Sequence, residues 1–207
     1  MHPNPAYRQT PDEISLAFAR GRGFGVLAVN GPDGPLLSHV PFLLSEDGRR
    51  AELHLVRSTA IARLGAGPVP AVLAVTGPEG YVSPDWYGIP DQVPTWNYVA
   101  VHLHGRLERC PQDALRGMLD RLSDAFEARL APKPAWTSAK MPAEAMARMM
   151  RQILPYRLEI AEIESTWKLG QNKPEAARLG AADGLAEAGA AQLAALMRQP
   201  PETDGQG

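Results

Sequence analysis

The first candidate for chemistry is a run of phosphate-binding residue types at Arg57, Ser58 and Thr59. These residues end a predicted strand and precede a short predicted helical turn, so they offer a guanidinium, two hydroxyls and nearby backbone N–H groups. Such donors bind phosphate oxygens in proteins. The same residue types are common in surface turns, and the segment alone leaves both interpretations open.

The second candidate is the segment SHVPFLL at 38–44, which alternates in polarity. Val40, Phe42 and Leu44 are spaced to fill a core, and His39 and Pro41 then point to the opposite face. Proline lacks a backbone N–H and therefore marks a sheet edge or an opening. We expect something other than a strand to lie against the His39 face.

Aromatic and amide side chains supply two further candidates. Tyr81 and Tyr98 bound an eighteen-residue stretch that also contains Trp86, Tyr87 and Trp96. Such a cluster suits a planar ligand or a subunit interface. Further along, the segment WKLGQNKP at 167–174 joins cationic and amide donors; a solvated turn would have the same composition.

Two histidines leave the question of a metal open. His102 and His104 stand at i and i+2 of a predicted strand, which places both imidazoles on one face. That face suits a metal ion if His39 or His54 supplies a third ligand, whereas a half-exposed or interface face is the simpler alternative. We predict that no metal ion is bound, and we assign no residue a catalytic role. His39 is the best acid–base candidate by residue type, because histidine titrates near neutral pH.

The elements that must position these residues follow from hydrophobic periodicity. Amphipathic helices are predicted at 113–130 and 142–153, a capped helix opens at Thr10, and two short helices lie between 168 and 197. Gly77 to Thr95 is predicted as a long loop. The predicted strands are 26–29, 36–44, 51–56, 71–75, 96–107 and 156–163, the last with a bulge near Ala161. About six closely spaced strands favour an antiparallel barrel or sandwich with peripheral helices.

Composition limits the class of protein. A chain of 207 residues forms one domain or one domain with a small appendage. Its net charge of −2 does not favour a dedicated nucleic-acid binder. The lone Cys110 excludes an internal disulfide and fits a reducing compartment. The longest apolar stretch, Val69 to Val75, is too short to span a membrane, so we expect a cytoplasmic protein.

Four segments together resemble the PaiB-like family of FMN-binding negative transcriptional regulators. They are HVPFLL at 39–44, YVSPDWY at 81–87, VPTWNYVAVHLHG at 93–105 and WKLGQNKP at 167–174. The resemblance runs in order from Tyr7 to about Met197. It implies a mainly β fold of the pyridoxine-phosphate-oxidase type, with a six-stranded antiparallel split β-barrel and peripheral helices. It also implies a homodimer that holds FMN in a cleft at the dimer interface.

The resemblance also implies roles for individual residues. His39, Val40 and Pro41 would lie along the isoalloxazine ring, and Arg57, Ser58 and Thr59 would hold the phosphate. The residues that would close the pocket, some of them from the second subunit, are Trp96, Asn97, Lys168, Gln171 and Asn172. The chain departs from the family pattern at Ser58-Thr59, where Asn-Pro is frequent, and at Gly170, where Ser is frequent.

The resulting expectation for organisation and function has three parts. Residues 1–173 form the FMN-binding domain with helices inserted at 113–153, residues 174–198 form a helical extension, and residues 199–207 are disordered. The function implied by the resemblance is repression of transcription, although the charge gives DNA binding little support. The alternatives are a flavin-dependent oxidoreductase, or flavin reductase, that uses FMN for electron transfer, and a binding protein without turnover.

Overall fold

The computed structural model describes residues 1–202, so the last five residues of the predicted disordered tail lie outside the described part of the chain. The strands are β1 (Phe24–Gly31), β2 (Gly34–Leu44), β3 (Arg50–Val56), β4 (Val69–Val82), β5 (Thr95–Arg109) and β6 (Ile153–Lys168). The helices are α1 (Asp12–Arg22), α2 (Ala60–Arg63), α3 (Ala114–Glu127), α4 (Ala143–Met150), α5 (Glu175–Glu187) and α6 (Ala191–Arg198). Short 3-10 turns lie at Pro5–Tyr7, Pro84–Tyr87, Ala128–Leu130 and Ser138–Lys140.

The six strands form a closed barrel in the order β1-β2-β3-β6-β5-β4. β1 pairs antiparallel with β2 and with β4, and β3 pairs antiparallel with β2 and with β6. The predicted mainly β fold, an antiparallel six-stranded barrel with peripheral helices, is therefore confirmed. Within the described residues, no helix is both long and apolar enough to cross a membrane.

The alternation along β5 is the clearest link between sequence and fold. Val99, Val101, Leu103 and Leu107 are at most 1% exposed, as their period-2 spacing predicts. Asn97 shares their phase and is also 1% exposed. Asn97, which was expected to line a ligand pocket, is therefore a buried polar residue.

Contacts divide the chain into two compact units. Unit one contains Met1–Ala19, Val75–His102 and the chain from Ile163 onward. Its core joins α5 and α6 to residues of the strands, among them Val82 and Trp167. In the α5 helix, Gly184 leaves room for Trp86, since a Cβ there would lie 2.3 Å from the indole ring.

Unit two contains Arg20–Ala74 and Leu103–Glu162. Its barrel strands bury Leu27, Phe42, Leu53 and Leu158 at no more than 1% exposure. Each of these residues lies on the buried face of its strand, which is β1, β2, β3 or β6. Buried and less buried positions alternate around each of them, which explains why the sequence pattern located these strands. Helices α3 and α4 are the two helices predicted at 113–130 and 142–153, and both are shorter than predicted.

The predicted loop from Gly77 is wrong over its first six residues, because β4 continues to Val82. Gly77 and Gly80 are strand positions where neighbours approach closely. A Cβ on Gly77 would lie 2.7 Å from the ring of Phe18, and one on Gly80 would lie 2.8 Å from Leu185. These glycines therefore mark close packing within a strand rather than a turn.

The last strand is also longer than predicted, since β6 runs to Lys168 rather than ending near residue 163. Its burial pattern changes phase at Ala161 and Glu162, two consecutive exposed residues. The predicted phase slip is present, and the bulge near Ala161 stays a prediction. The two short C-terminal helices are confirmed as α5 and α6, which are separated at Gly189.

Candidate functional site

In unit two, β2 carries the predicted opening in the sheet. β2 pairs with β1 from Gly34 to Pro41, but it pairs with β3 only over Phe42–Leu44. The N–H of Phe42 donates to the carbonyl of Gly23 at 2.9 Å, on the β1 side. The nitrogen of Pro41 therefore points to the other side, before the pairing with β3 begins, and its missing hydrogen breaks no ladder bond.

On the outer face of β2 and its neighbour β1, the side chains of His39, Leu37 and Phe24 are exposed to solvent. His39 is exposed, and Val40 is 3% exposed with its side chain in the barrel. The ring of Phe24, 52% exposed, lies 6.4 Å from that of His39 at an interplanar angle of 27°. Leu37 is also exposed. This exposed surface suits a planar ligand or a second protein surface.

Arg57 holds the end of β3 in place through two hydrogen bonds. Its Nε donates to the carbonyl of Arg151 at 2.6 Å, and its Nη2 donates to Oε1 of Gln112 at 2.9 Å. The Gln112 amide in turn donates to the carbonyls of Met150 and Ile153. Arg57 is nevertheless exposed, so its remaining N–H groups face solvent.

The hydroxyl of Thr59 is committed to local structure. It donates to the carbonyl of Val56 at 2.9 Å and accepts from the N–H of Ala62 as the N-cap of α2. Ser58 is exposed beside it. A phosphate role for these three consecutive residues stays a prediction, with Thr59 the least available of them.

In unit one, a cavity of about 230 Å³ brings together several predicted site residues. Asn97, Lys168 and Asn172 line this cavity, which we call the lysine pocket. The other residues that line it are His2, Asn4, Tyr7, Tyr87, Asp91, Gln92, Val93, Thr95, Gly170 and Lys173. The pocket joins the N-terminal segment, the segment before β5 and the turn after β6.

Both lysines of the pocket lie against tyrosine rings. Lys168 donates to Oγ1 of Thr95 at 2.5 Å, and its Nζ lies 5.9 Å from the ring centroid of Tyr7. Lys173 donates to Oε1 of Gln92 at 2.5 Å. Burial lowers the pKa of Lys168, and the like charge of Lys173 lowers it further. Both ammonium-bearing side chains thus line one cavity.

The turn after β6 is shaped by its own amide and glycine residues. Gln171 accepts from the N–H of Leu169 at 2.8 Å and donates to the carbonyl of Trp167, which braces the turn. Gly170 has φ +78°, a left-handed conformation that favours glycine and accounts for its presence at this position. A direct contact of Gln171 with a ligand stays a prediction.

The remaining predicted residues of unit one differ in their environments. Asn97 is buried and its Nδ2 lies 3.3 Å from the sulfur of Met197. Trp96 is 56% exposed and packs edge-on against Tyr81, which is 47% exposed, with ring centroids 6.4 Å apart. Asn97 thus faces the interior and Trp96 faces solvent, as neighbouring residues of one strand do.

His102 has an acidic neighbour that the sequence analysis did not consider. Ligand atoms of His102 and Glu164 lie within 4.8 Å of each other. Glu164 also forms an ion pair with Arg8 at 3.3 Å. His54, one of the suggested third ligands, is half-buried in unit two, and burial lowers its pKa.

Sequence reasoning assigned no ligand role to Tyr7, Gln92 and Thr95, which reach the lysine pocket through tertiary packing. Tyr87 was noted only as a member of the aromatic cluster and of the segment at 81–87. Tyr7 and Tyr87 are 6% and 4% exposed, and burial raises the pKa of each phenol. The predicted concentration of aromatic residues at 81–98 was the one available signal for Tyr87.

The chain matches known proteins along most of its length. Residues 1–162 match a protein-family model described as "Putative FMN-binding domain". The chain is 24% identical over 171 residues to the "Protease synthase and sporulation protein PAI 2" of Bacillus subtilis (strain 168), which covers 82% of this chain and 81% of that protein. It is 32% identical over 106 residues to the "Uncharacterized protein YKL070W" of Saccharomyces cerevisiae, covering 46% of this chain and 63% of that protein.

Two solved structures share the fold. The FAD and heme binding protein from Mycobacterium smegmatis has a TM-score of 0.56 at 21% identity, covering 78% of this chain and 73% of that one. The flavocytochrome Anf3 from Azotobacter vinelandii has a TM-score of 0.52 at 16% identity, covering 81% and 72%. At these identities, the likeness extends to the fold alone.

Each unit, taken by itself, carries residue types that suit FMN. A phosphate needs cationic or N–H donors, and Arg57 is such a donor in unit two and Lys168 in unit one. In the described part of the chain, Lys168 forms no ion pair with a carboxylate, so its charge is available to an anion. Asn172 offers an amide, and the exposed rings of His39 and Trp96 offer surface for a planar group.

Proposed function

The chain belongs to this PaiB-like family of FMN-binding proteins, with FMN as its cofactor, and we propose that it is a flavin-dependent repressor of transcription that binds FMN at a homodimer interface. The observation that carries the proposal is the exposure of Trp96. A tryptophan that is 56% exposed is a large apolar surface in water, which supports its burial against a flavin or a second subunit.

The homodimer is supported by exposed apolar groups in each unit considered by itself. In unit one, Val93 is 73% exposed in addition to the Tyr81 and Trp96 pair. In unit two, Phe24 and Leu37 are 52% and 61% exposed. A monomer seldom leaves so many large apolar side chains in water, whereas a symmetric dimer buries the same surface of both copies.

We assign the following roles to the residues of the site. His39 and Pro41 lie along the ring of FMN, with the backbone of Val40 between them. In unit two, Arg57 and Ser58 donate hydrogen bonds to the phosphate. In unit one, Lys168 adds positive charge and Asn172 adds an amide donor. When bound, FMN supplies a ring that can take up or release electrons. The protein residues hold that ring and shield it from water.

Repression of transcription is supported by the resemblance of the four sequence segments to a family of negative transcriptional regulators. A chain of net charge −2 has no overall attraction to DNA, so binding must rest on a local set of cations. Such binding weakens steeply with salt, because each phosphate contact releases a counterion. The proposed response to flavin is a change in DNA affinity when FMN binds.

A flavin-dependent oxidoreductase is the second candidate, and the position of His39 favours it. The imidazole is exposed and lies beside the Phe24 ring, where it could exchange a proton with a bound molecule. In that case, FMN would accept electrons from a nicotinamide or another reduced donor.

The two functions are separated by one pair of experiments. The protein, with and without FMN, is first used to select fragments from the DNA of its own source, and these fragments are tested by electrophoretic mobility shift. A specific shift that depends on FMN supports the repressor. The same preparation is then mixed with NADH or NADPH in a stopped-flow instrument. Rapid flavin reduction without any specific DNA shift would overturn the repressor in favour of the oxidoreductase.

A further inference from the structure

The lysine pocket concentrates positive charge in unit one. The chain has four lysines, and two of them, Lys168 and Lys173, line this one cavity. Their hydrogen-bond acceptors are neutral oxygens, those of Thr95 and Gln92. The ammonium of Lys173 also lies 5.3 Å from the ring centroid of Tyr87.

The pocket lacks a paired carboxylate among the residues that the structure describes. Asp91 lines the cavity, yet it forms no ion pair with either lysine. Lys168 and Lys173 are both partly buried, so solvent screens their repulsion less than it would on an open surface. An arrangement of this kind gains stability from an anion that bridges the two ammonium groups.

The size of the cavity limits the anion. At about 230 Å³ it is smaller than the ~300–1,000 Å³ pockets that enclose drug-sized ligands. A single oxyanion group fits within it. Neutral donors are also at hand, since Asn172 lines the cavity with an exposed amide.

We propose that the lysine pocket binds a phosphate-type oxyanion, with Lys168 and Lys173 as its two cationic ligands. Lys173 is thereby added to the residues of the site. The oxyanion has two sources, the phosphate of FMN itself or a separate phosphorylated small molecule. In the first case the inference rests on the proposed function and deepens it.

The first test uses inorganic phosphate as the probe. Phosphate is titrated by calorimetry into protein freed of flavin, in the wild type and in Lys168→Gln, Lys173→Gln and Lys173→Arg. Loss of one charge-assisted hydrogen bond should weaken phosphate binding by roughly 10- to 150-fold in each Gln variant. Lys173→Arg should retain binding. Lys140→Gln, a Lys→Gln change in unit two, serves as the matched control and should bind like the wild type.

The second test identifies the source of the oxyanion. FMN and riboflavin are titrated by flavin fluorescence into the same proteins. If the pocket takes the phosphate of FMN, Lys173→Gln lowers the ratio of FMN to riboflavin affinity, and inorganic phosphate competes with FMN. If it takes a separate molecule, the ratio is unchanged, and phosphate binds the FMN-loaded protein.

Equal phosphate affinity in the wild type and in a folded Lys173→Gln variant would overturn the proposal, as would a wild type that binds no phosphate. Circular dichroism of each variant confirms folding. Because Asn172 is exposed, Asn172→Ala serves as a further variant that leaves both lysines in place. The mass of the dimer and the mobility shift of DNA are measured in separate experiments. A result that rules out the repressor therefore leaves the phosphate titration unaffected.

Discussion

Lys173 reaches across unit one to Tyr87, its ammonium lying 5.3 Å from the centroid of a ring that is 4% exposed. The same ammonium donates to Gln92, so one side chain ties the turn after β6 to the segment before β5. Two fixed neighbours reduce the conformational entropy that the lysine loses on binding an anion. A lysine held in this way is a preorganised ligand rather than a mobile surface charge.

A buried hydrogen bond between α1 and β6 should be measurable in stability. The indole Nε1 of Trp167 donates to Oγ of Ser15 at 3.1 Å, and Ser15 is fully buried. Ser15→Ala leaves the indole N–H without a partner, which should lower the free energy of unfolding by about 1–3 kcal/mol. Urea denaturation of Ser15→Ala, Trp167→Phe and the double variant measures the coupling. Additive losses in the double variant would contradict a direct bond.

The packing of Trp86 on α5 depends on a glycine. A Cβ at Gly184 would lie 2.3 Å from the indole, so Gly184→Ala must displace Trp86 and should cost about 1–3 kcal/mol of stability. Gly117→Ala in α3 is the matched control, because its Cβ would meet only the end of the flexible Arg121 side chain at 3.3 Å. The control should be stabilised by about 0.5–1 kcal/mol. Thermal unfolding with tryptophan fluorescence compares them, and equal melting temperatures would refute the packing argument.

Hydrophobic periodicity locates the strands correctly wherever one face of a strand is buried. The alternation of β5 located Val99 and Val101 and also placed Trp96 on the outside, because the period of two is a local property. It failed at Gly77 and Gly80, since the need for glycine there comes from Phe18 and Leu185, which are distant in sequence. Close approach of remote side chains leaves no local pattern.

The candidate site shows the same limit. Lys168 and Asn172 were found because they lie in one distinctive motif, whereas Tyr7 reaches the pocket from the other end of the chain. The hydroxyl of Thr59 matched a phosphate donor by type, and only the structure shows it capping α2. Residue type predicts which chemistry is available, and tertiary contacts decide which donors are free.

The half-buried His54 of unit two predicts that the stability of the fold depends on pH. Burial lowers the pKa of His54, and its Nδ1 has no hydrogen-bond partner among the described residues. Above pH 6.5 the imidazole is neutral in both states; as the pH falls below that value the unfolded state binds the proton first, so the free energy of unfolding decreases. Between pH 7 and pH 5, His54→Gln should lose less stability than the wild type.

The free energies of unfolding of the wild type and of His54→Gln are measured by urea denaturation at each pH. A His54→Gln variant whose stability falls with pH as steeply as that of the wild type would show that other groups cause the loss.

Substitution of Arg57 distinguishes a structural role of this residue from phosphate binding. If it binds the phosphate of FMN, Arg57→Ala should weaken FMN binding by roughly 10- to 150-fold and leave riboflavin binding nearly unchanged. If Arg57 acts only through its hydrogen bonds to Arg151 and Gln112, Arg57→Ala should change the affinities for both flavins equally, together with the stability of the fold. Fluorescence titration of both flavins gives the ratio. Gln112→Ala, which removes one of these partners, is the control for the structural contribution.

The central claim, FMN bound at a homodimer interface, is tested most directly by light scattering with simultaneous flavin absorbance on a gel-filtration column. Protein incubated with excess FMN should elute as a single peak of twice 22.4 kDa, with about one flavin per subunit. Trp96→Glu should move the peak toward the subunit mass with loss of flavin. A wild-type peak at 22.4 kDa, or a dimer peak without flavin absorbance, would contradict the claim.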